Sequence, residues 1–155
     1  MRHKLVTAIA SAALVVGVSV AEGAVRAGNF SGRTSAKDPV GLKVNSSGRV
    51  YGFYFSGVKL RCSDGDSFST STGSNRTHSP TAKRYRVSSS RRFTIFLTST
   101  KTGFGWTAKG RFSTKGGSAA GTLRVLARFD IENNLKPKGR IKCDSGVLSW
   151  TAKRR

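Results

Sequence analysis

The sequence predicts an all-β protein, an antiparallel two-layer β-sandwich of about eight or nine strands, with an up-and-down β-barrel as the alternative. Three observations predict it. Apolar and cationic residues alternate with a period of two, not 3.6. Strong helix formers are sparse, while Gly, Ser, Thr, Phe and Val are common and turn signals are frequent. Cys62 and Cys143 both fall on positions that the alternation turns inward.

The chain opens on a leader. Met1-Arg2-His3-Lys4 is basic, and Leu5 to Ala21 is apolar apart from Thr7, Ser11 and Ser19. Ser19-Val20-Ala21 sets small residues at the two positions a signal peptidase reads. Residues 1–21 are therefore expected to be an export signal and 22–155 a single secreted β domain, with Gly23 and Ala27 as alternative cut sites. The apolar run of 17 residues is short for a membrane span; an uncleaved anchor is the alternative to cleavage. The expected destination is extracellular or the cell envelope.

Strands follow in order. Gly28–Thr34, Val40–Val44 and Arg49–Phe55 come first, with Asn45-Ser46-Ser47-Gly48 as a turn between the last two. Val58, Leu60 and Cys62 point in while Lys59 and Arg61 point out. Ser63 to Thr81 holds ten Ser or Thr among 19 residues, with Phe68 as its only large apolar side chain. It is expected to be a long surface loop carrying at most a weak edge strand near Phe68. Strands are then expected at Arg84–Val87 and Arg92–Thr98. Trp106, Ala108, Gly110 and Phe112 share the inner face, opposite Thr107, Lys109 and Arg111. Leu123, Val125, Ala127, Phe129 and Ile131 face in; Thr122, Arg124 and Arg128 face out, with Leu126 as the outward exception. Ile141 and Cys143 face in between Arg140 and Lys142, and Leu148, Trp150 and Ala152 close the series. Short connections make neighbouring strands antiparallel.

An even cysteine count in an exported chain predicts a Cys62–Cys143 disulfide in the core, tying an early strand to a late one. Closing a loop of about 80 residues stabilises the fold by about 4–5 kcal/mol on chain entropy, less any strain. A metal is not expected there, because two sulfurs without a neighbouring histidine cannot fill four positions.

Charge limits the function classes. The chain carries 28 Lys and Arg against 7 Asp and Glu; losing Arg2 and Lys4 with the leader leaves 26 against 7, a net charge of +19. Such a field draws polyanions: anionic polysaccharide, wall polymer or nucleic acid. The charges are spread along the chain, with no run longer than Lys153-Arg154-Arg155, so the basic arm of a nucleic-acid binder is missing. The outward cations Lys59, Arg61, Lys109, Arg111, Arg124, Arg128, Arg140 and Lys142 are the candidate anion-binding residues. Outward acids are scarce among them, Asp130 being the clearest, whereas a face shaped for solubility mixes both signs.

Catalytic chemistry finds little support. The domain's one histidine, His78, sits in the Ser/Thr-rich loop, where a catalytic base lacks a third group to hold it. The acids fall mostly at turns and strand ends, away from a paired-carboxylate arrangement. Asp64-Gly65-Asp66 has too few carboxylates for a calcium site and is expected to be a turn. Trp106 and Trp150 are expected in the core rather than on a stacking platform. No cofactor is expected. Two functions remain: a non-catalytic module binding anionic polymers, or a structural or interaction protein of the envelope without a polymer ligand.

Gly28-Asn29-Phe30-Ser31-Gly32, Cys62 before Asp64-Gly65, Gly110-Arg111-Phe112, Ala120 to Leu123, Cys143 with Ser145-Gly146, and Trp150 to Ala152 recur together behind an export signal. In this the chain resembles small Arg-rich exported β proteins of high-GC Gram-positive bacteria. The resemblance spans nearly the whole domain. It implies the fold and export and carries over no catalytic residue.

Overall fold

A computed structural model describes residues 24–72, 85–98, 103–130, 134–135 and 138–155. The expected leader, His78 and Ile131 lie outside the described residues. Among the described residues there are ten strands: β1 (Gly28–Thr34), β2 (Pro39–Val44), β3 (Val50–Phe55), β4 (Val58–Cys62), β5 (Ser67–Thr70), β6 (Arg92–Thr98), β7 (Gly105–Phe112), β8 (Ser118–Phe129), β9 (Ile141–Asp144) and β10 (Leu148–Arg154). All pairings are antiparallel, as short connections require.

The strands form one continuous curled sheet in the order β3-β2-β1-β10-β8-β9-β4-β5, with β6 and β7 joined to the other edge of β8. The 12-residue β8 is its hub. Its first half pairs with β10, its second half with β9, and β7 runs along its far edge. Backbone contacts draw the path back on itself. Val50 and Tyr85 exchange N–H···O bonds of 3.1 and 2.8 Å. At the other end of β3, Thr72 N–H donates to Phe55 O and Phe55 N–H to Thr72 Oγ1, each at 3.0 Å. Sandwich-like and barrel-like descriptions both suit this curled sheet. Aromatic rings meet across the interior, Phe53 of β3 against Trp106 of β7 at 5.7 Å and Phe30 of β1 against Phe112 of β7 at 5.5 Å.

Alternation did the sorting. Val58, Leu60, Trp106, Ala108, Phe112, Leu123, Val125, Ala127, Cys143, Trp150 and Ala152 are buried, as their parity predicts. Leu126 is 44% exposed, confirming it as the apolar exception on the outer face. Trp106 and Trp150 are core residues. The Cys62–Cys143 disulfide is formed, with the two residues directly opposite on β4 and β9.

Two local expectations change and one holds. The strand expected at Arg84–Val87 is, among its described residues, only the isolated Tyr85–Val50 bridge. The Ser/Thr-rich loop carries the edge strand expected near Phe68: β5 is four residues long, ends the sheet beside β4, and packs Phe68 on Phe129 at 5.0 Å. β8 begins at Ser118, four residues before the alternation becomes readable, because Ala119, Ala120 and Gly121 show no contrast between faces.

One irregularity shapes the surface. Asp144 stands opposite Leu126 and Leu148 opposite Leu123, so Ser145, Gly146 and Val147 face only Arg124 and Val125. This is a β-bulge with Gly146 at φ 67°. The extra residue is what lets Cys143 and Trp150, an odd number of positions apart, both face inward. Ser145 replaces the missing ladder bonds: its N–H donates to Val125 O at 3.0 Å, and its Oγ accepts from Val125 N–H at 2.9 Å.

Candidate polyanion-binding surface

Within the ten strands there are twelve Lys and Arg and a single acid, Asp144. All eight candidate cations, Lys59, Arg61, Lys109, Arg111, Arg124, Arg128, Arg140 and Lys142, are exposed. The fold brings them onto adjoining strands. Lys109 and Arg111 lie on β7, Arg124 and Arg128 on β8, Lys142 on β9 with Arg140 just before it, and Lys59 and Arg61 on β4. β7, β8, β9 and β4 are successive neighbours in the sheet.

The register concentrates charge further. Arg128 stands directly opposite Lys142, and Arg92 directly opposite Arg111. Like charges placed opposite one another destabilise a sheet, so both pairs are local conflicts that a bound anion would relieve. Arg92, missed in the sequence, belongs to this surface; it opens β6, outside the clearest alternation. Lys153 and Arg33 are outward by the same parity, and pairing them with Ser118 and Thr151 continues the face across β10 and β1. A shallow groove of about 680 Å³ lies beside Arg111 and Lys153, with the hydroxyls of Ser113, Thr114, Ser118 and Thr151 in its lining.

Asp144 interrupts the positive field. It lies opposite Arg61 and accepts from Arg124, whose Nε is 3.2 Å from Oδ1 and 3.1 Å from Oδ2, while NH2 also donates to Oδ2. The bulge fixes the carboxylate from the other side, with Gly146 N–H donating to Oδ1 at 2.8 Å. The Arg124 hydrogen bond holds the Asp144 carboxyl below the ordinary carboxylate value; partial burial opposes it and the Gly146 N–H assists. The same hydrogen bond and charge push Arg124 up. Arg124 is thus already partnered, unlike the candidate its exposure alone suggested.

Asp130, singled out as the outward acid, lies beyond the end of β8, where its Oδ1 accepts from Asn134 N–H at 2.8 Å. Asp144 ends β9, and the turn chemistry of Asp144-Ser145-Gly146 is used in the bulge that follows it. Asp64-Gly65-Asp66 is the expected turn: Gly65 N–H donates to Cys62 O at 3.1 Å and Asp66 N–H to Asp64 Oδ1 at 3.1 Å. No group of three or more His, Cys, Asp or Glu is placed to hold a metal among the described residues. No protein-family model, curated protein or solved structure matches the chain.

Proposed function

We propose that this chain is an exported, non-catalytic β module that binds anionic polymers outside the cytoplasm, an envelope or extracellular polysaccharide being the chief class. The carrying observation is the two like-charge pairs placed directly opposite in the register, Arg128 with Lys142 and Arg92 with Arg111, on a face whose strands hold a single acid. Lys and Arg spaced along a sheet suit a repeating anion, which gains from many weak contacts rather than one deep pocket. The disulfide is compatible with an oxidising compartment, and the basic-then-apolar start supports export.

The test is retention on a sulfated polysaccharide. Retention is expected at low salt and lost at high salt, because exposed charges are screened over about 8–10 Å at physiological ionic strength. Replacing Arg128 and Lys142 with Gln is expected to lower the eluting salt concentration more than replacing Lys37 and Lys115, which lie outside the strands. Equal effects from the two pairs, or retention insensitive to salt, would favour a structural envelope protein whose charge serves only solubility.

A further inference from the structure

A second groove crosses the outer side of β1, β2 and β3, separated from the β7-β8-β9-β4 face by β10. Its volume is about 520 Å³, and Asn29, Ser31, Lys43, Tyr54 and Arg155 line it. Two glycines shape it. Gly41 stands opposite Ser31 on one side and Tyr54 on the other. A Cβ built on Gly41 falls 2.0 Å from Tyr54 Cζ and 2.3 Å from Cε1, so the phenol ring occupies the space a side chain would take. Tyr54 is half-buried: the ring rests on the sheet over Gly41 and its remaining surface lines the groove. Gly52 stands opposite Lys43, and a Cβ there would touch the lysine stem at 3.6–3.8 Å.

The polar groups are also arranged. Arg155 Nε donates to Ser31 Oγ at 2.6 Å, which orients the guanidinium and leaves its terminal nitrogens for another acceptor. The Ser31 hydroxyl keeps its own proton to donate. Asn29 is exposed beside them and offers both donor and acceptor. Among the described residues, no Asp or Glu side chain lines the groove. An aromatic ring held on a rigid sheet, flanked by two cations and by hydroxyl and carboxamide groups, matches a ring-shaped ligand bearing hydroxyls and a carboxylate.

We infer that this groove holds one sugar unit of an acidic glycan. The Tyr54 ring stacks on the C–H face of the sugar, Arg155 and Lys43 take a uronate carboxylate, and Asn29 and Ser31 take hydroxyls. The inference rests on the polyanion reading and narrows its ligand class. A sugar fits better than a nucleic-acid strand, because single strands stack on successive aromatic rings and, among the described residues, Tyr54 is the only solvent-facing ring in this groove.

The experiment is calorimetric titration of the full chain with a galacturonate hexamer, a neutral galactose hexamer and a thymidylate hexamer. The galacturonate hexamer is expected to bind at least about tenfold more tightly than the other two, the scale of one well-made charged contact. Tyr54→Ala is expected to weaken it about tenfold or more, and Tyr54→Phe to keep most of the affinity. Arg155→Gln is expected to abolish the preference over the neutral hexamer. Each variant is read only at an unchanged melting temperature; Tyr54→Phe and Arg155→Gln, which leave Gly41 covered, carry the test should Tyr54→Ala melt early. Equal binding of the thymidylate hexamer, or indifference to Tyr54 and Arg155, overturns the inference. Absence of galacturonate binding with salt-sensitive retention on sulfated polysaccharide intact removes this groove and leaves the broader reading standing. Absence of both removes the broader reading as well.

Discussion

Arg124 and Asp144 form an ion pair between β8 and β9, at the one point where an acid enters the strand-borne positive field. The register of β9 places the carboxylate there, and Gly146 N–H of the bulge that follows holds it. Because Asp144 also stands opposite Arg61, it lowers the attraction of this face for anions at its centre. Asp144→Asn is therefore expected to strengthen binding to a sulfated polysaccharide. The dependence of log K on log salt is expected to steepen by about 0.7–0.9, the effect of one more cation engaged. Unchanged slope and affinity would mean that Arg61 and Arg124 take no part.

The same pair predicts a pH dependence. The Asp144 carboxyl is held below its ordinary value of 3.8 in the folded protein. A group with a lowered folded pKa contributes its full stabilisation above the unfolded value and loses it as pH falls through the folded one. The melting-temperature difference between the wild type and Asp144→Asn is thus expected to be constant above about pH 5 and to close below 3.8. The effect is small, since the Arg124 side chain is exposed, that of Asp144 is partly so, and solvent screens the pair. A difference that widens in acid would contradict the pairing.

Much of this architecture could be read from residue parity, and the failures have identifiable causes. β1 and β6 lie where the alternation and turn signals put them, and every candidate cation is outward. Parity survives because each strand has one wet and one buried face. It fails where small residues blur the two faces, as at Ala119–Gly121 in β8. Simple parity also breaks at the bulge, where the extra residue among Ser145–Val147 offsets Trp150 from Cys143, while Asp144 keeps the register of β9 and faces out with the cations. The Tyr54–Gly41 contact is invisible in sequence because it joins residues on different strands through the absence of a side chain. Which cations face each other depends on register, which single-strand patterns leave open.

The disulfide predicts a stability loss. Cys62 and Cys143 are 81 residues apart and link β4 to β9 in the core. Replacing both with Ser is expected to lower unfolding free energy by about 2–5 kcal/mol, seen as a lower denaturant midpoint. A midpoint unchanged from the reduced wild type, together with one shifted from the oxidised wild type, isolates the cross-link from the substitution itself.

Gly110 predicts a packing conflict. A Cβ there would lie 2.4 Å from Phe93 Cζ and 2.8 Å from Trp150 Cζ2, both core rings. Gly110→Ala is expected to cost about 1–3 kcal/mol through overpacking. Phe93→Leu in the same chain is expected to recover part of that loss, because it withdraws the nearer ring. A double-mutant cycle with no coupling between the two positions would show that the sheet yields at Gly110 rather than the side chains.

Trp150 separates shape from polarity in the core. It is 1% exposed, packs edge-on to Phe53 at 5.4 Å, and its Nε1 has no hydrogen-bond partner among the described residues. A buried donor without a partner costs free energy, so the indole must be kept for its volume and ring contacts. Trp150→Phe removes the orphan N–H along with part of the ring, and the two effects oppose each other. It is expected to destabilise by less than about 2 kcal/mol, while Trp150→Ala leaves a cavity and costs about 3–5 kcal/mol. Chemical denaturation of the two variants distinguishes them. Near-equal losses would show that the indole nitrogen, and not the ring volume, is what the core requires.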